Sequence, residues 1–277
     1  FGRETVRMLH SQFLAPDRAE KEKELLRELG KPGDETRRPD KRIVVGTQVL
    51  EQSLDIDLDV LVTDLSPMDL LLQRIGRLHR HQRPRPEKLR KAHCLVLGAD
   101  GDCFEEGSEF VYGRYPLMRA RSLLPRQLVL PRDIPELVQD AYDDAVPLRP
   151  EPPEYRESKE EWDKLIAIKE RRADAFRIRP PISDDDLVDW LSTGVPSSEK
   201  HAEAAVRDAD ESFEVLLIRE DENGRLCLLS GSEEHELSPG MAPGDTLAKA
   251  LACQRIRLPR ILCAPWMIDK TIEELEQ

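Results

Sequence analysis

The sequence S-P-M-D-L-L-L-Q-R-I-G-R-L-H-R-H, residues 66–81, decides how the rest of the chain is interpreted. Ser66 is a favourable helix N-cap, and Pro67 fits the first helical position, where no backbone N–H is needed. Asp69 adds a negative charge near the helix N-terminus, which the helix dipole favours. These residues predict a helix that begins at Ser66 and continues through the segment.

Two stripes of side chains run along this predicted helix. The spacing i, i+4, i+7 gives an apolar stripe of Leu71, Ile75 and Leu78. The same spacing gives a polar stripe of Gln73, Arg77 and Arg80. A planar guanidinium suits phosphate oxygens, but exposed arginines also form ordinary surface ion pairs. The spacing alone is compatible with both roles.

The spelling Q-R-x-G-R-x-x-R resembles motif VI of superfamily 2 helicases. This resemblance implies that Arg77 and Arg80 are catalytic arginine fingers for the ATP γ-phosphate, and that Gln73 is the leading polar, ATP-binding residue. The continuation R-L-H-R-H-Q-R-P-R-P resembles one branch of that superfamily, the helicase–nuclease of type I CRISPR systems, whose partner is the Cascade surveillance complex.

The composition describes a soluble, charged protein with one local basic segment. The 277 residues include 35% charged residues and a net charge of −13, which argues against broad coating of nucleic acid. Residues 66–93 nevertheless carry eight Lys/Arg and two acidic residues. We therefore expect a phosphate-handling site that is confined to one cleft.

The sequence indicates neither a membrane-spanning protein nor a protein stabilised by disulfide bonds. No apolar run approaches the ~20 residues of a membrane-spanning helix, and no signal peptide is visible. The five cysteines include no C-x-x-C pair, so reduced thiols and a cytoplasmic location are expected.

Short apolar runs at residues 42–46, 60–63 and 94–97 alternate with helical patterns. This order predicts an α/β fold with a parallel sheet, in which ligands collect at the carboxyl ends of strands. The segment T-Q-V-L-E-Q-S-L-D-I-D, residues 47–57, follows the first of these runs and resembles helicase motif V. The order of the two motifs implies a second RecA-like helicase domain, incomplete at its N-terminus.

The motif V resemblance implies further site residues. Thr47 and Gln48 are expected to face the DNA backbone, whereas Asp55 faces ATP and the arginine fingers. The sequence L-H-S-Q-F, residues 9–13, resembles the family's segment after its fourth motif, which implies a DNA-phosphate contact for Ser11.

The remaining aspartate and histidine residues near the two motifs are not expected to bind a metal ion. Asp57 and Asp59 are expected in a solvated turn, because an EF-hand starting at Asp55 would lack its required glycine and glutamate. No metal site is expected, and phosphate contacts or surface positions are favoured over metal binding for His79, His81 and His93.

Three domains are expected: residues 1–98 as the partial RecA-like domain, 99–181 as a helical linker and 182–277 as a small α+β accessory domain. A capping box at Ser158 and Glu161 predicts the start of a long linker helix, and Asn223-Gly224 predicts a hairpin in the last domain.

The sequence contains no G-x-x-x-x-G-K-[ST] phosphate loop and no D-E-x-H box. The resemblance therefore implies the C-terminal portion of an ATP-dependent single-stranded-DNA translocase and helicase–nuclease that degrades Cascade-marked foreign DNA. ATP and Mg²⁺ would be bound mainly by the first RecA-like domain, and the nuclease metal would lie outside this chain. By itself the chain is expected to be inactive as an ATPase.

Two alternatives remain open from the sequence. The first alternative to the helicase–nuclease is a separate or split binding module that docks a partner carrying the first RecA-like domain or Cascade. The second is part of another superfamily 2 translocase, for example in repair. The upstream coding sequence distinguishes these readings, since a phosphate loop and an H-D nuclease motif in frame would support the helicase–nuclease.

Overall fold

A computed structural model describes most of the chain. The described residues are 5–33, 37–51, 54–101, 103–174, 214–229, 236–237, 240–264 and 266–275. Among them, no helix combines the length and apolar character that crossing a membrane requires.

The first part of the chain forms two pairs of parallel strands. Strand β1 (Val6–Leu9) pairs with β2 (Ile43–Gly46), and β3 (Val60–Asp64) pairs with β4 (His93–Leu97). Helix α1 (Ala15–Leu29) connects the first pair. Helix α2 (Met68–Ile75) connects the second pair. Short 3₁₀ turns at Gln48–Leu50 and Glu87–Leu89 complete this part. The predicted parallel α/β arrangement is confirmed.

Each strand pair is packed against its helix by a separate apolar cluster. The first cluster lies under α1 and contains Leu9, Leu25, Leu29, Leu54 and Ile56. The second lies under α2 and contains Leu65, Met68, Leu71, Leu72, Ile75, Leu117, Ala120 and Ala141. Because its last three residues come from downstream helices, the segment after β4 shares the core of α2.

The downstream helices are α3 (Glu106–Tyr112), α4 (Arg114–Leu123), α5 (Ile134–Tyr142) and α6 (Tyr155–Asp174). Arg119 on α4 is almost fully buried, with 1% of its surface exposed. Its guanidinium donates hydrogen bonds to the carbonyls of Asp140, Ala141, Asp143 and Val146. It also donates to the Tyr155 hydroxyl at 2.7 Å. One arginine therefore ties α4 to the end of α5 and the start of α6.

From residue 214 onward, the described residues form short antiparallel strands and two helices. The elements are β5 (Glu214–Leu216), β6 (Ile218–Glu220), β7 (Leu226–Leu228), β8 (Glu236–Leu237), α7 (Asp245–Ala252), β9 (Arg255–Arg257), a 3₁₀ turn (Arg260–Cys263) and α8 (Ile268–Leu275). Strands β5 and β9 pair, and β6, β7 and β8 form a second sheet. The turn between β6 and β7 holds Gly224 at a φ of +77°, so the predicted Asn223-Gly224 hairpin is confirmed.

Two predicted helix starts are wrong. Helix α2 begins at Met68 with Pro67 in the cap position, and the Ser66 hydroxyl is buried with no hydrogen-bond partner among the described residues. Ser158 is a buried residue inside α6, which already begins at Tyr155. Both serines are buried, at 0% and 5% exposure, and neither lies at the cap position of its helix.

The predicted extent of the first helix is also wrong. Helix α2 ends at Ile75, with Gly76 as its C-cap. Beyond it, the carbonyl of Arg77 and the N–H of His79 bond to the backbone of Leu58, in a β-bridge between Leu58 and Leu78. The N–H groups of Arg77 and Leu78 still bond three residues back, to the carbonyls of Arg74 and Ile75, so Arg77 lies in a turn directly after the helix. Arg80 follows the bridge, beyond His79, whose φ is +50°.

Candidate nucleotide and nucleic-acid site

The carboxyl ends of β1 and β2 bring three predicted DNA-contact residues to one edge. Ser11 follows β1, and Thr47 and Gln48 follow β2; all three are exposed. The Thr47 N–H donates to the Leu9 carbonyl at 3.3 Å, which holds the two strand ends together. These three residues line a cleft of about 1540 Å³ that Arg77 also lines.

The turn after β2 leaves little room for a side chain at Gly46. A Cβ atom at Gly46 would lie 2.3 Å from the Leu50 Cδ1 atom and 3.1 Å from the Leu9 carbonyl oxygen. Because Leu50 folds back against the strand end, only glycine fits there without displacing it. The close turn sets where Thr47 and Gln48 leave the sheet.

The two predicted arginine fingers have different partners. Arg77 donates from Nη2 to the Glu51 carbonyl at 2.8 Å, and its buried Nε has no hydrogen-bond partner among the described residues. Arg80 donates from Nε to Asp55 Oδ1 at 2.5 Å, and His81 Nε2 lies 3.0 Å from the same oxygen. Asp55 therefore lies beside Arg80, one of the two predicted arginine fingers.

Two pKa shifts reflect this arrangement. The hydrogen bond from Arg80 is the main cause that lowers the pKa of Asp55, and it outweighs the effect of burial. Burial, together with the nearby Arg80 charge, lowers the pKa of Arg77, while Asp55 opposes the shift. Asp55 thus stays ionised, and the Arg77 guanidinium lies in a site that favours an added negative charge.

Arg74 is the residue that sequence reasoning missed. Its guanidinium contacts the Glu51 carboxylate at 2.5 Å, the Thr63 hydroxyl at 2.9 Å and the Tyr112 hydroxyl at 2.9 Å. The Tyr112 hydroxyl also accepts a hydrogen bond from Gln48 at 3.3 Å. Arg74 thereby connects the turn after β2, the end of β3 and helix α3. Its place in Q-R-x-G-R was a signal for it, whereas no local sequence signal pointed to Tyr112.

Asp57 and Asp59 do not form a solvated turn, and this prediction is wrong. Asp57 is fully buried, with Arg83 Nε at 2.5 Å and Arg85 Nη2 at 2.6 Å from its carboxylate. Asp59 contacts Arg38 at 2.6 Å and Arg85 at 2.8 Å. These arginines are distant in sequence, so only tertiary folding brings them to the carboxylates. Part of the basic segment is consequently neutralised inside the protein.

Three of the predicted ATP-binding residues do not line the cleft. Gln73 is exposed on α2 and does not line the cleft, and Asp55 and Arg80 lie outside its lining as well. Within the described part of the chain, no group of three or more His, Cys, Asp or Glu side chains is placed to hold a metal ion.

Two protein-family models match this chain, one in its N-terminal part and one in its C-terminal part. The model described as "CRISPR-associated nuclease/helicase Cas3, C-terminal" matches residues 2–83. The model described as "Cas3 C-terminal domain" matches residues 207–277.

Curated relatives carry the same description. A CRISPR-associated nuclease/helicase Cas3 of Streptococcus thermophilus is 42% identical over 289 residues, covering 100% of this chain and 30% of the relative. A CRISPR-associated endonuclease/helicase Cas3 of Escherichia coli strain K12 is 30% identical over 266 residues, covering 92% of this chain and 27% of the relative. The chain therefore spans less than a third of the length of these relatives.

Solved structures agree with the sequence comparison. The crystal structure of T. fusca Cas3 matches with a TM-score of 0.73 and 27% identity, covering 91% of this chain and 28% of that one. The crystal structure of T. fusca Cas3-ATP matches with a TM-score of 0.72 and 28% identity, covering 91% of this chain and 29% of that one. Fold and sequence together define a helicase-type α/β protein. The chain belongs to the Cas3 family of CRISPR-associated nuclease/helicases, as a C-terminal part.

Proposed function

We propose that this chain is the C-terminal portion of an ATP-dependent single-stranded-DNA translocase and nuclease that degrades Cascade-marked foreign DNA. In this proposal, residues 1–98 form the partial second RecA-like domain, 99–181 a helical linker and 182–277 an accessory domain. The longer protein supplies the first RecA-like domain and the nuclease. Its partners are single-stranded DNA and the Cascade complex.

One observation carries the proposal: Ser11, Thr47, Gln48 and Arg77 line a single cleft at the carboxyl ends of parallel strands. Neutral side chains that bond a passing phosphate, placed next to a guanidinium, suit coupling between a DNA strand and a nucleotide. Phosphate contacts carry no base information, so DNA binding is expected to be independent of sequence.

The side chains near Arg77 fit a nucleotide phosphate. The buried Arg77 Nε, which has no hydrogen-bond partner in the described part of the chain, and the lowered Arg77 pKa both favour an incoming anion. Arg80 is half-exposed in its pair with Asp55, so exchanging the carboxylate for a phosphate oxygen costs little desolvation. ATP with Mg²⁺ supplies the phosphoryl group when bound. Arg77 and Arg80 would hold positive charge next to it, and Gln73 would add a polar contact.

The arginine assignment is tested by ATP hydrolysis in the longer protein. Arg77→Ala and Arg80→Ala are each expected to lower the DNA-stimulated rate by about 10³-fold, the effect of losing an arginine finger. Arg90→Ala is the matched control, because it removes an exposed arginine from the same basic segment. The melting temperature is recorded alongside the rate, since Arg77 loses one hydrogen bond, worth about 1 kcal/mol.

A clear result against the assignment is near wild-type hydrolysis by Arg77→Ala together with a sharp fall in melting temperature. That outcome would make Arg77 a structural residue. DNA-stimulated hydrolysis by this chain alone, abolished by Arg77→Ala, would contradict the proposal that the chain is only part of the motor.

The DNA assignment is tested separately. Thr47→Ala/Gln48→Ala in the longer protein is expected to lose DNA stimulation and to keep basal ATP hydrolysis and nucleotide affinity. Asp55→Ala is expected to lose basal hydrolysis as well. Because neither Thr47 nor Gln48 is charged, the salt dependence of DNA binding should hardly change. Full DNA stimulation in the double variant would rule out this division of roles.

A further inference from the structure

The Tyr112 hydroxyl joins two side chains of the candidate site from outside the parallel strands. Tyr112 is the last residue of α3, and it lines the cleft together with Gln48 and Arg74. The Gln48 Nε2 atom donates to this hydroxyl at 3.3 Å, and the Arg74 Nη2 atom donates to it at 2.9 Å. Since a hydroxyl oxygen accepts two hydrogen bonds, these two donors fill its acceptor capacity.

The Arg74 side of this arrangement is fixed by further contacts. Its Nε atom donates to the Glu51 carboxylate at 2.7 Å, which belongs to a residue only 5% exposed. Its Nη1 atom donates to the Thr63 hydroxyl at 2.9 Å and to the Asp64 carbonyl at 3.2 Å. Because the guanidinium is a rigid fork, these bonds fix its orientation and with it the donor that holds Tyr112.

The Tyr112 ring is held by the helices that follow β4. The ring packs against the apolar cluster under α2. The next residue, Gly113, has a φ of +80°, and a Cβ atom there would lie 3.3 Å from the Trp162 ring of α6. Since this φ favours glycine and α6 leaves little space for a side chain, the turn after Tyr112 depends on Gly113. The position of the hydroxyl is therefore set by elements outside the two strand pairs.

The Gln48 amide depends on Tyr112 for its position. Among the described residues, its bond to the Tyr112 hydroxyl is the only hydrogen bond of the Gln48 side chain. Gln48 is exposed, and a glutamine side chain without a fixed partner samples several rotamers. Loss of the hydroxyl would therefore release the Gln48 amide, whereas Arg74 would keep its bonds to Glu51 and Thr63.

We infer that Tyr112 is a positioning residue that holds the Gln48 amide ready for a phosphate of single-stranded DNA. The inference rests on the proposed function, in which Gln48 contacts DNA, and it adds a residue of α3 that lies outside both helicase motifs. A side chain that becomes ordered only when DNA binds loses rotamer freedom in that step, which weakens binding. Tyr112 orders the amide before DNA arrives.

ATP hydrolysis by the longer protein, titrated with single-stranded DNA, tests this role. Tyr112→Phe removes the hydroxyl and keeps the ring. The DNA concentration for half-maximal stimulation should rise by about fivefold, the factor that ordering one side chain is worth. Tyr142→Phe is the matched control, because the Tyr142 hydroxyl also bonds to helix α2, at 2.5 Å from Asp69, but does not line the cleft. The control should leave this concentration unchanged.

A double-variant cycle distinguishes positioning from a direct or purely structural role. Gln48→Ala should raise the half-maximal DNA concentration by itself, and adding Tyr112→Phe should raise it no further, because Tyr112 acts through the Gln48 amide. Since Arg74 keeps its other partners, Tyr112→Phe and Tyr142→Phe should have similar melting temperatures. A melting temperature of Tyr112→Phe well below that of the control would make Tyr112 a structural residue and overturn the inference.

The DNA titrations also separate failure of the inference from failure of the proposed function. If Gln48→Ala is impaired but Tyr112→Phe matches Tyr142→Phe, the DNA role of Gln48 stands and the positioning role of Tyr112 is wrong. Multiplied effects in the Gln48→Ala/Tyr112→Phe variant would likewise refute it, because Tyr112 would then act independently of Gln48. An unimpaired Gln48→Ala variant would refute the proposed DNA contact, and the inference with it.

Discussion

Replacing the buried carboxylate of Asp57 with an amide should destabilise the protein strongly. Asp57 has no exposed surface, and its partners Arg83 and Arg85 have side chains only 7% and 8% exposed. Asp57→Asn keeps the shape of the side chain but leaves both guanidiniums without their buried counter-charge. Breaking a buried ion pair from one side typically costs about 3–5 kcal/mol.

The structure places the expected cost at the lower end of this range. Arg85 keeps its contact with Asp59 at 2.8 Å, and Arg83 keeps its bond to the Gly30 carbonyl at 2.7 Å. We therefore expect a loss of about 3 kcal/mol in the free energy of unfolding. The Asp57 carboxylate also accepts the His81 N–H at 3.3 Å, so its loss should loosen the segment that carries Arg80.

Urea unfolding followed by circular dichroism measures this effect. With an m-value of about 3 kcal/mol/M, the midpoint of Asp57→Asn should fall by about 1 M. The matched control is Asp163→Asn, which removes an exposed carboxylate paired with Lys159 on helix α6 and should leave the midpoint unchanged. Equal midpoints for the two variants would refute the argument that the buried charge cluster stabilises the fold.

Three further predictions concern other parts of the molecule. Arg119→Met should lower the free energy of unfolding by about 3 kcal/mol or more, measured by the same urea titration, because buried carbonyls lose their donor. Burial favours the protonated form of Asp59, but hydrogen bonds from Arg38 and Arg85 lower its pKa overall. The stabilising contribution of the Asp59 carboxylate is therefore complete above the ordinary pKa of 3.8 and is lost as the pH falls below it. Over that acidic range, urea titrations should show the free energy of unfolding of the wild-type protein falling relative to that of Asp59→Asn. Burial raises the pKa of the Cys94 thiol to about 11, so a thiol reagent at pH 7.5 should label the exposed Cys103 first, as mass spectrometry can report; equal labelling rates would contradict this.

Local patterns in the sequence determined the elements of the α/β part. The apolar runs predicted β2, β3 and β4 to within a residue or two, because strands of a parallel sheet carry nearly continuous apolar segments. The Asn-Gly pair predicted the hairpin turn, since it needs a positive φ that glycine adopts without strain. The motif spelling identified the family, and the comparisons confirmed it.

Only the tertiary structure decided which groups meet. Helical spacing placed Arg77 on a helix, but a backbone bridge to Leu58 ends the helical pattern, a contact that local spacing does not encode. Asp57 looked like a turn residue until arginines from both sides of it in the sequence closed around it. Tyr112 reaches Arg74 across 38 positions of the chain. The pairing of β1 with β2 and of β3 with β4 likewise depends on tertiary folding, because strand pairing is a non-local interaction that one strand's sequence leaves undetermined.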